Sequence, residues 1–416
     1  MIVYPTLVVY AWIISIKQYF VKEKYKFERR PTMLYNPNRL KDFDKEWGIH
    51  EGTKEWWYAT AVVFDEEGNM YSYQYTLLHI GLGVVTAKMG MIALTDYKNG
   101  RHYYLQTRVD KDHPLVINDH QASVKGVSEV IKFSDSMKLR MFHHDFTVDA
   151  DMDYGKGAFW HCDNGKLQMG KTERKETTSY FSYTNMPTKA VITINGEPIK
   201  VTGKTWFDKQ GGTYSITDSK THWEWFSLRF NDDEEIMLFT FPQDNYYDGT
   251  YITKDGKSSR MNDYSIQTTA TTKFKDLDWS AGWELHIPVK EKDYTIEPIQ
   301  QGHMNFGYFE EICYIKNSQG EIVGYAFAEL LPGVLNGNLT ATGDTNGKSA
   351  KASNIPSLFS RIEFVQEGDN VIEYHNENVE KLAASEKKNR IQKAAAVGVM
   401  TALAFVLGMA IRSKRK

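Results

Sequence analysis

Three titratable residues, Asp208, His222 and Glu224, lie among tryptophans in one part of the chain. The stretch from Gly203 to Phe230 contains GKTWFDKQGG and, after a short gap, HWEWFSLRF. Large apolar neighbours exclude water from a carboxyl group, and this raises its pKa. The residue types and their spacing therefore indicate a site in which an acid could hold a proton near neutral pH.

Strand alternation decides which of these side chains share a face. In an extended chain Trp223 and Trp225 point to one side while Glu224 points to the other. On the preceding segment Trp206 and Asp208 share a face by the same rule. If Trp206 lines a cavity, the Asp208 carboxyl beside it is desolvated and its pKa is raised.

Each of these residues also has a purely structural explanation. Tryptophans at strand spacing pack in a core more often than they line a cavity. Asp208 could cap a turn that leads to Gly211. Glu224 could pair with Arg229 or Lys204 on a solvated face. The sequence alone leaves both interpretations open.

Five further motifs occur along the chain: EWWYATAVVF at 55–64, YFSYTNMP at 180–187, WSAGWELHIP at 279–288, YFEE at 308–311 and GYAFAELLPG at 324–333. Together with the two stretches above, they resemble in order the lipocalin-like family that includes hydroxyneurosporene synthase (carotenoid 1,2-hydratase) and the AttH proteins. The resemblance covers the chain from about residue 51 to about residue 331.

The resemblance implies a long apolar ligand, such as an isoprenoid, and in the family's hydratases an acid that protonates a double bond before water adds. In this assignment Asp208 or Glu224 is the acid. Tyr183 or His222 orients the water, and tryptophan faces stabilise the cation. The ligand-binding positions implied are Trp56, Trp57, Tyr58, Trp206, Trp223, Trp225, Glu310 and Glu329.

The chain departs from the family at one motif. Many members have the pattern WxDHxWG, whereas here Asp208 is followed by Lys209, Gln210 and Gly211, so the histidine and the second tryptophan of the motif are missing. A lysine cannot shuttle a proton near neutral pH unless it is strongly desolvated. Two functions therefore remain: a hydratase or cyclase that acts through Asp208 and Glu224, or a non-catalytic lipid or isoprenoid binding or carrier protein.

The net charge, the motifs and the cysteines limit the classes of partner and cofactor that we expect. The net charge of −3 gives no electrostatic reason to expect nucleic acid. No GxSxG elbow, P-loop or CxxC motif occurs, so we expect no cofactor. Cys162 and Cys313 are either reduced, half-buried thiols or one interdomain disulfide.

We also expect no metal site. The aspartates at 149, 151 and 153 have the opening spacing of a calcium loop, but Tyr154 stands where a glycine is required. They fit the outer face of a half-buried strand. His143 and His144 are adjacent, so in a strand they would point to opposite faces.

The two ends of the chain predict a membrane partner. Residues 1–16 carry no charge and are followed by basic residues, which fits a signal anchor or a short apolar segment packed on the body. Residues 394–411 are uncharged and long enough to form a transmembrane helix. Basic residues flank this helix on both sides, so the pattern leaves the side of the membrane open.

Between the ends, short segments rich in β-branched and aromatic residues alternate with turn signals, which predicts an all-β body. The family resemblance implies two tandem lipocalin-like (calycin-type) antiparallel β-barrel domains, with terminal apolar helices. We expect these parts: 1–30, an apolar segment; 31–186 and 187–335, the N-terminal and C-terminal lipocalin-like domains, divided near Pro187; 336–360, a flexible linker; 361–393, a strand and helix; and 394–411, the anchor.

Overall fold

The computed structural model describes residues 33–34, 42–51, 53–82, 85–170, 176–213, 223–274, 277–300, 304–305, 308–331, 361–368 and 370–376. The chain forms two compact units, residues 1–34 and 35–416. In the first unit the described part is a short strand, β1 (Met33–Leu34). The other elements belong to the second unit. Among its described residues, helix is confined to α1 (Phe43–Trp47) and two 3-10 turns, Pro242–Asp244 and Pro288–Lys290.

A short strand β2 (His50–Glu51) precedes the first large sheet. The strands of that sheet up to residue 213 are β3 (Lys54–Phe64), β4 (Met70–Leu82), β5 (Val85–Asp96), β6 (Arg101–Arg108), β7 (Leu115–Asn118), β8 (Gln121–Val124), β9 (Ser128–Lys132), β10 (Ser136–Phe142), β11 (Phe146–Asp153), β12 (Ala158–Trp160), β13 (Lys166–Gln168), β14 (Thr177–Ile194) and β15 (Glu197–Thr213).

The second sheet follows in the chain. It contains β16 (Trp223–Phe230), β17 (Glu235–Phe241), β18 (Tyr246–Ile252), β19 (Ser258–Arg260), β20 (Ser265–Phe274), β21 (Leu277–Ile287), β22 (Lys292–Pro298), β23 (Met304–Asn305), β24 (Tyr308–Asn317) and β25 (Ile322–Leu331). Two later strands, β26 (Ile362–Glu367) and β27 (Asn370–Asn376), return to the first sheet beside β6.

The first sheet is antiparallel and has the order β27-β26-β6-β5-β4-β3-β15-β14-β11-β10-β9-β8-β7, with β12 and β13 also paired to β14. Contacts between strands that are distant in this order show that the sheet curls. Tyr75 of β4 donates its hydroxyl to the carbonyl of Ala122 on β8 at 2.9 Å. Gly90 of β5 also lies so close to Val124 that an added Cβ would stand 3.0 Å from a valine methyl group. The concave side encloses a core that includes Trp57, Tyr73, Leu139, Phe146 and Phe207.

The second sheet is antiparallel as well, in the order β19-β18-β17-β16-β25-β24-β22-β21-β20, with β23 paired to β24. It has its own buried core, in which Phe226 packs edge-to-face on Trp283 at 5.1 Å. Leu228, Leu238 and Ile315 belong to the same core.

A third buried cluster combines side chains of both sheets. We call it the intersheet layer, defined by Tyr58, Val62, Cys162, Leu167, Met169, Tyr180, Trp206, Trp223, Trp225, Met237, Phe239, Phe241, Ile312 and Phe327. Most of its members come from the faces of β3, β14 and β15 that point away from the first core, and from the corresponding faces of β16, β17, β24 and β25. Leu167 lies on β13, and Cys162 and Met169 lie outside the strands. The layer arises because period-two strands present apolar side chains on both faces.

Two curled antiparallel sheets with very little helix confirm the predicted all-β, two-domain lipocalin-like fold. Pro187, where we expect the domain boundary, lies inside β14, and residues on both sides of it pair with β15. The second sheet begins with β16, so the two sheets divide between Thr213 and Trp223, later in the chain than Pro187.

Several predicted parts lie outside the described residues: the apolar segment 1–30, the linker 336–360, the helix expected after residue 378 and the anchor 394–411. Where the chain is described, no helix is long and apolar enough to span a bilayer. The strand expected near residue 361 is present as β26. Cys162 and Cys313 are both free and buried.

Candidate active site

Asp208 lies in the intersheet layer beside Trp206, two residues away on β15. The Trp206 indole Nε1 donates to Asp208 Oδ1 at 2.6 Å, and the Ser182 hydroxyl on the neighbouring β14 donates to the same oxygen. Tyr180 also hydrogen-bonds to this carboxyl group. Burial raises the pKa of Asp208 to about 7, although these hydrogen bonds act in the opposite direction. Asp208 can therefore hold or release a proton near neutral pH.

His161 extends this group on the side of Ser182. Its Nε2 lies 2.7 Å from the Ser182 hydroxyl, which in turn donates to Asp208. Burial lowers the pKa of His161 to about 3, so the imidazole is neutral. In a hydrolase triad the histidine stands between the serine and the acid. Here the serine stands in the middle, and the arrangement supports the carboxylate rather than activating a nucleophile.

Glu310 and Glu329 form a second acidic group in the same layer. They are direct cross-strand partners on β24 and β25, and their carboxyl groups are hydrogen-bonded to each other. Tyr58 donates its hydroxyl to Glu310 Oε2 at 2.5 Å, and Gln74 donates to Oε1 at 3.1 Å. Trp223 Nε1 donates to Glu329 Oε1 at 2.7 Å. Both carboxyl groups thus receive hydrogen bonds from side chains that also wall the layer.

The electrostatics of this pair favour a retained proton. Burial raises the pKa of Glu329 to about 7. The pKa of Glu310 is raised well above its ordinary value, chiefly by burial and to a smaller extent by the charges of Glu329 and Asp208. Ionising both of two adjacent carboxyl groups in an apolar layer costs much free energy, because the charges repel and neither is solvated. Glu310 therefore holds the proton that bridges to Glu329. We call Asp208, Glu310 and Glu329 the acid cluster.

Aromatic rings connect the members of the acid cluster. Trp225 packs edge-to-face against Tyr58, with ring centroids 5.6 Å apart, and against Trp206, at 6.1 Å. Its Nε1 also donates to the Tyr180 hydroxyl at 3.0 Å. At the Glu329 end, Trp56 stacks on Trp223 at 6.4 Å. A carbocation formed in this layer would face electron-rich rings, which is the environment that stabilises it.

Glu224 does not join this cluster. It lies on the opposite face of β16, inside the second sheet, and accepts hydrogen bonds from Ser280 Oγ at 2.6 Å and Trp283 Nε1 at 3.0 Å. Burial raises its pKa as well, but it shares no contact with Asp208 in the structure. The expected alternative for Asp208, a turn cap, does not apply because β15 continues to Thr213.

Two other predicted residues, Trp57 and Tyr183, are also placed elsewhere. Trp57 points into the first core and donates its Nε1 to the carbonyl of Trp47 at 3.0 Å. Tyr183 stacks on Tyr154 at 4.7 Å, against the same core. His222 lies outside the described residues. Of the predicted positions, the structure brings together Trp56, Tyr58, Trp206, Asp208, Trp223, Trp225, Glu310 and Glu329.

Lys209, which replaces the histidine of the family motif, faces away from Asp208. Its ammonium group lies 3.3 Å from a carboxylate oxygen of Glu55 and 4.1 Å from the ring centroid of Trp57, inside the first sheet. The departure from the motif therefore leaves the acid cluster intact, and the imidazole near Asp208 is that of His161.

Sequence reasoning missed several members of the site. Tyr180 and Ser182 stand two residues apart in YFSYTNMP, and their shared face on a strand is a signal that alternation could have given. His161 follows the short strand β12, and Gln74 belongs to β4. Nothing in the local pattern of either residue points to a partner on another strand.

The structure also corrects the expected geometry of His143 and His144. They follow β10 instead of lying in it, and their rings stack at 4.4 Å. Among the described residues, His143, His144 and Glu363 of β26 form a group that could hold a metal ion, since their possible ligand atoms all lie within 4.8 Å of one another. The backbone N–H of Asp145 donates to His143 Nδ1 at 3.0 Å, which places the imidazole proton on Nε2. With this tautomer the neutral imidazole directs its Nε2–H towards a carboxylate oxygen of Glu363, which lies 2.9 Å from Nε2.

Comparison with known proteins agrees with this architecture. A crystal structure from Nitrosomonas europaea described as AttH superposes with a TM-score of 0.64 at 18% identity, and covers 72% of this chain and 99% of its own. Kievitone hydratase from Nectria haematococca superposes with a TM-score of 0.58 at 14% identity, and covers 74% of this chain and 97% of its own. No curated protein matches the sequence. The sequence model of the AttH-like family matches residues 35–333, and the chain belongs to the AttH-like family.

Proposed function

We propose that this protein is an acid catalyst of the hydratase or cyclase type, acting on a long apolar ligand that carries a double bond. The observation that supports this function is the acid cluster. Asp208, Glu310 and Glu329 are buried carboxyl groups with raised pKa in a layer of tryptophan and tyrosine rings. A core without such a function would not favour three carboxyl groups in one apolar layer, since each of them costs free energy to bury.

The chemistry assigns separate tasks to the three groups. Asp208 transfers its proton to one alkene carbon, and the positive charge develops on the other carbon. The rings of Trp225 and Tyr58 face that charge. A water molecule adds to the cation and loses a proton to the Glu329 carboxylate, so one H and one OH are added and the cluster keeps its number of protons. Glu310 stays protonated and orients Glu329.

Cyclisation would use the same first step. If a second double bond of the ligand reaches the cation before water does, a carbon–carbon bond forms and a carboxylate then removes a proton. Both outcomes require the same acid and the same aromatic walls. The acid cluster therefore supports the reaction class, and the shape of the ligand decides between the two products.

One comparison supports the proposed reaction type, and one earlier prediction is kept with it. Kievitone hydratase, by its name a hydratase, shares the fold at 14% identity, and we carry that reaction type to this chain only as part of the proposal. We also retain the membrane attachment predicted through residues 394–411, because an apolar ligand partitions into a bilayer. The proposed ligand class is a long isoprenoid, polyene or other unsaturated lipid.

Isotope incorporation tests this function directly. The full chain is incubated with a panel of unsaturated isoprenoids and lipids in ¹⁸O-labelled water, and the extracted products are analysed by mass spectrometry. We expect wild type to add one labelled water, or to yield a cyclic isomer of unchanged mass. Asp208→Asn should lose this turnover, because the amide cannot donate a carboxyl proton. Glu224→Gln is the matched control on the opposite face of its strand and should keep it.

The same experiment also tests the non-catalytic alternative. A ligand that is retained at one per chain and recovered unchanged from wild type would show a binding or carrier protein. Equal turnover by wild type and Asp208→Asn would contradict the assignment of Asp208 as the acid. A chain that retains no member of the panel would overturn both functions.

A further inference from the structure

Arg229 is a buried cation in the space between the two sheets, and the protein does not fully pair it. It lies on the same face of β16 as Trp225 and is only 7% exposed. Its Nη1 donates to the carbonyl of Lys204 at 2.9 Å. Its Nη2 is buried and has no hydrogen-bond partner among the described residues. Burying a guanidinium group is unfavourable unless its donors and its charge are matched.

The neighbouring carboxylates are paired to other cations. Glu235, the cross-strand neighbour of Arg229 on β17, binds the ammonium group of Lys156 at 2.9 Å. Asp233 pairs with Lys204 at 2.6 Å. Within the part of the chain that the structure describes, Arg229 forms no ion pair of its own, and burial lowers the pKa of its guanidinium group to about 10, although the charge of Glu235 acts in the opposite direction. One positive charge of this region is therefore left without a direct counter-ion.

Two buried hydroxyl groups lie between Arg229 and the acid cluster. Thr60 and Ser227 are fully buried, and within the described part of the chain neither hydroxyl has a hydrogen-bond partner. Thr60 follows Tyr58 by two residues on β3, and Ser227 follows Trp225 by two residues on β16. They therefore lie on the same strand faces as these two rings, which pack against each other.

The spacing of two residues continues towards Arg229 along both β16 and β3. Arg229 follows Ser227 by two residues on β16. Its Nη1 bonds the carbonyl of Lys204, and the cross-strand partner of Lys204 on β3 is Val62, which follows Thr60 by two residues. At a strand rise of about 3.3 Å per residue, Arg229 lies roughly 13 Å along the strands from the Tyr58–Trp225 contact. Unmatched polar atoms thus form one line that leads away from the acid cluster.

We infer that Arg229, with Thr60 and Ser227, forms a subsite that binds an anionic oxygen at one end of the ligand. This inference rests on the proposed function and narrows its substrate to an amphiphile, with a carboxylate or another acidic oxygen remote from its double bond. The planar guanidinium group offers a fork that matches a carboxylate, and a ligand oxygen supplies the counter-charge that the protein lacks. The two hydroxyl groups bind polar atoms along the path to the acid cluster.

The test compares two probes of equal length that differ in charge. Oleate and oleyl alcohol are titrated into the full chain at pH 8, and binding is followed by native mass spectrometry and by displacement of a fluorescent fatty acid. We expect wild type to bind oleate at least about tenfold more tightly than oleyl alcohol, as a charge-assisted hydrogen bond in a buried site predicts. This comparison needs no variant.

Variants then locate the preference. Arg229→Gln should weaken oleate binding at least about tenfold and leave oleyl alcohol unchanged. Arg229→Lys keeps the charge without the fork and should retain part of the preference. Lys204→Gln removes one positive charge of the same region from a side chain that is 40% exposed, and should retain all of it.

The outcomes separate this inference from the proposed function. If wild type binds both probes equally, the subsite is wrong while the apolar site stands. If Arg229→Gln and Lys204→Gln reduce oleate binding alike, the preference is a general charge effect and the subsite is again wrong. If wild type binds neither probe and no member of the isoprenoid panel, the proposed function fails together with the subsite.

Discussion

Glu310 and Glu329 lie directly opposite each other on β24 and β25, and their carboxyl groups share a hydrogen bond in a buried layer. Direct cross-strand side chains are only about 5 Å apart, so the second ionisation of the pair is strongly disfavoured. The fold therefore retains a proton at this position under conditions in which an exposed glutamate would be ionised. This retained proton has a measurable effect on stability.

We expect the pair and Asp208 to make the protein less stable as the pH rises from about 5 to about 8. Burial raises the pKa of Glu329 from 4.5 to about 7 and that of Asp208 from 3.8 to about 7. In this window the native state binds more protons than the unfolded state, so the free energy of unfolding falls with rising pH. Each group contributes at most about 3 kcal/mol to the decrease. Thermal unfolding measured across this pH range tests the sign.

Glu329→Gln should flatten this dependence and raise the melting temperature at pH 8, because the amide resembles the protonated acid and cannot ionise. Glu197→Gln is the control, since Glu197 lies exposed on β15. Equal slopes for wild type and Glu329→Gln would show that Glu329 does not titrate above its ordinary range.

A second prediction concerns Glu224, which has a structural role in the second core. Glu224→Ala leaves the Trp283 indole N–H without its acceptor, and a buried unsatisfied donor costs about 1–3 kcal/mol. Urea unfolding should show this loss, whereas Glu224→Gln, which keeps an acceptor oxygen, should lose less. A change in the titration of Asp208 in either variant would contradict the separation of the two residues by the sheet.

The sequence was sufficient for relationships within one strand. Alternation alone predicts that Trp206 and Asp208 share a face and that Glu224 points away from Trp225, because side chains on a strand have a period of two. It does not predict that Tyr58 donates to Glu310, 252 residues later. That contact depends on how two sheets dock, and no local pattern encodes which strand of one sheet faces which strand of the other.

The domain boundary shows the same limit. We expect the boundary near Pro187, and proline removes a donor from a strand ladder. In the structure β14 passes through Pro187, and the pairing with β15 is irregular just before it, between Tyr183 and Met186. A β-bulge shifts the ladder so that a long strand can accommodate such a residue. The two sheets divide between β15 and β16, in a segment that carries the turn residues Thr217, Asp218 and Ser219.

A third prediction tests the close approach of β15 to β3. A Cβ added to Gly203 would stand 2.1 Å from the carbonyl oxygen of Val62 and 2.7 Å from Cα of Val63. Gly203→Ala must move backbone in the strand that carries Trp206 and Asp208, at a cost of about 1–3 kcal/mol. Gly48→Ala is the control, because no heavy atom of the described residues lies within 4 Å of its Cβ position and its φ is −73°. Equal unfolding midpoints for the two variants would contradict the register of β15 and β3.

The last prediction separates the two influences on Asp208. Burial raises its pKa, while the hydrogen bond from Trp206 lowers it by favouring the carboxylate. Trp206→Phe keeps an aromatic ring in the layer and removes the N–H donor, so the pKa of Asp208 should rise above about 7. A pH titration followed by NMR on ¹³C-labelled aspartate measures it, with the signal assigned by its loss in Asp208→Asn.

Trp57→Phe is the matched control for this titration. It removes an indole N–H that donates to the carbonyl of Trp47, on the face of the first sheet that points away from Asp208. The Asp208 titration should therefore be unchanged in that variant. If Trp206→Phe also leaves it unchanged, burial and the hydrogen bonds from Ser182 and Tyr180 set the pKa without Trp206. The indole is then only a wall of the layer, and the acid strength of Asp208 cannot be tuned through Trp206.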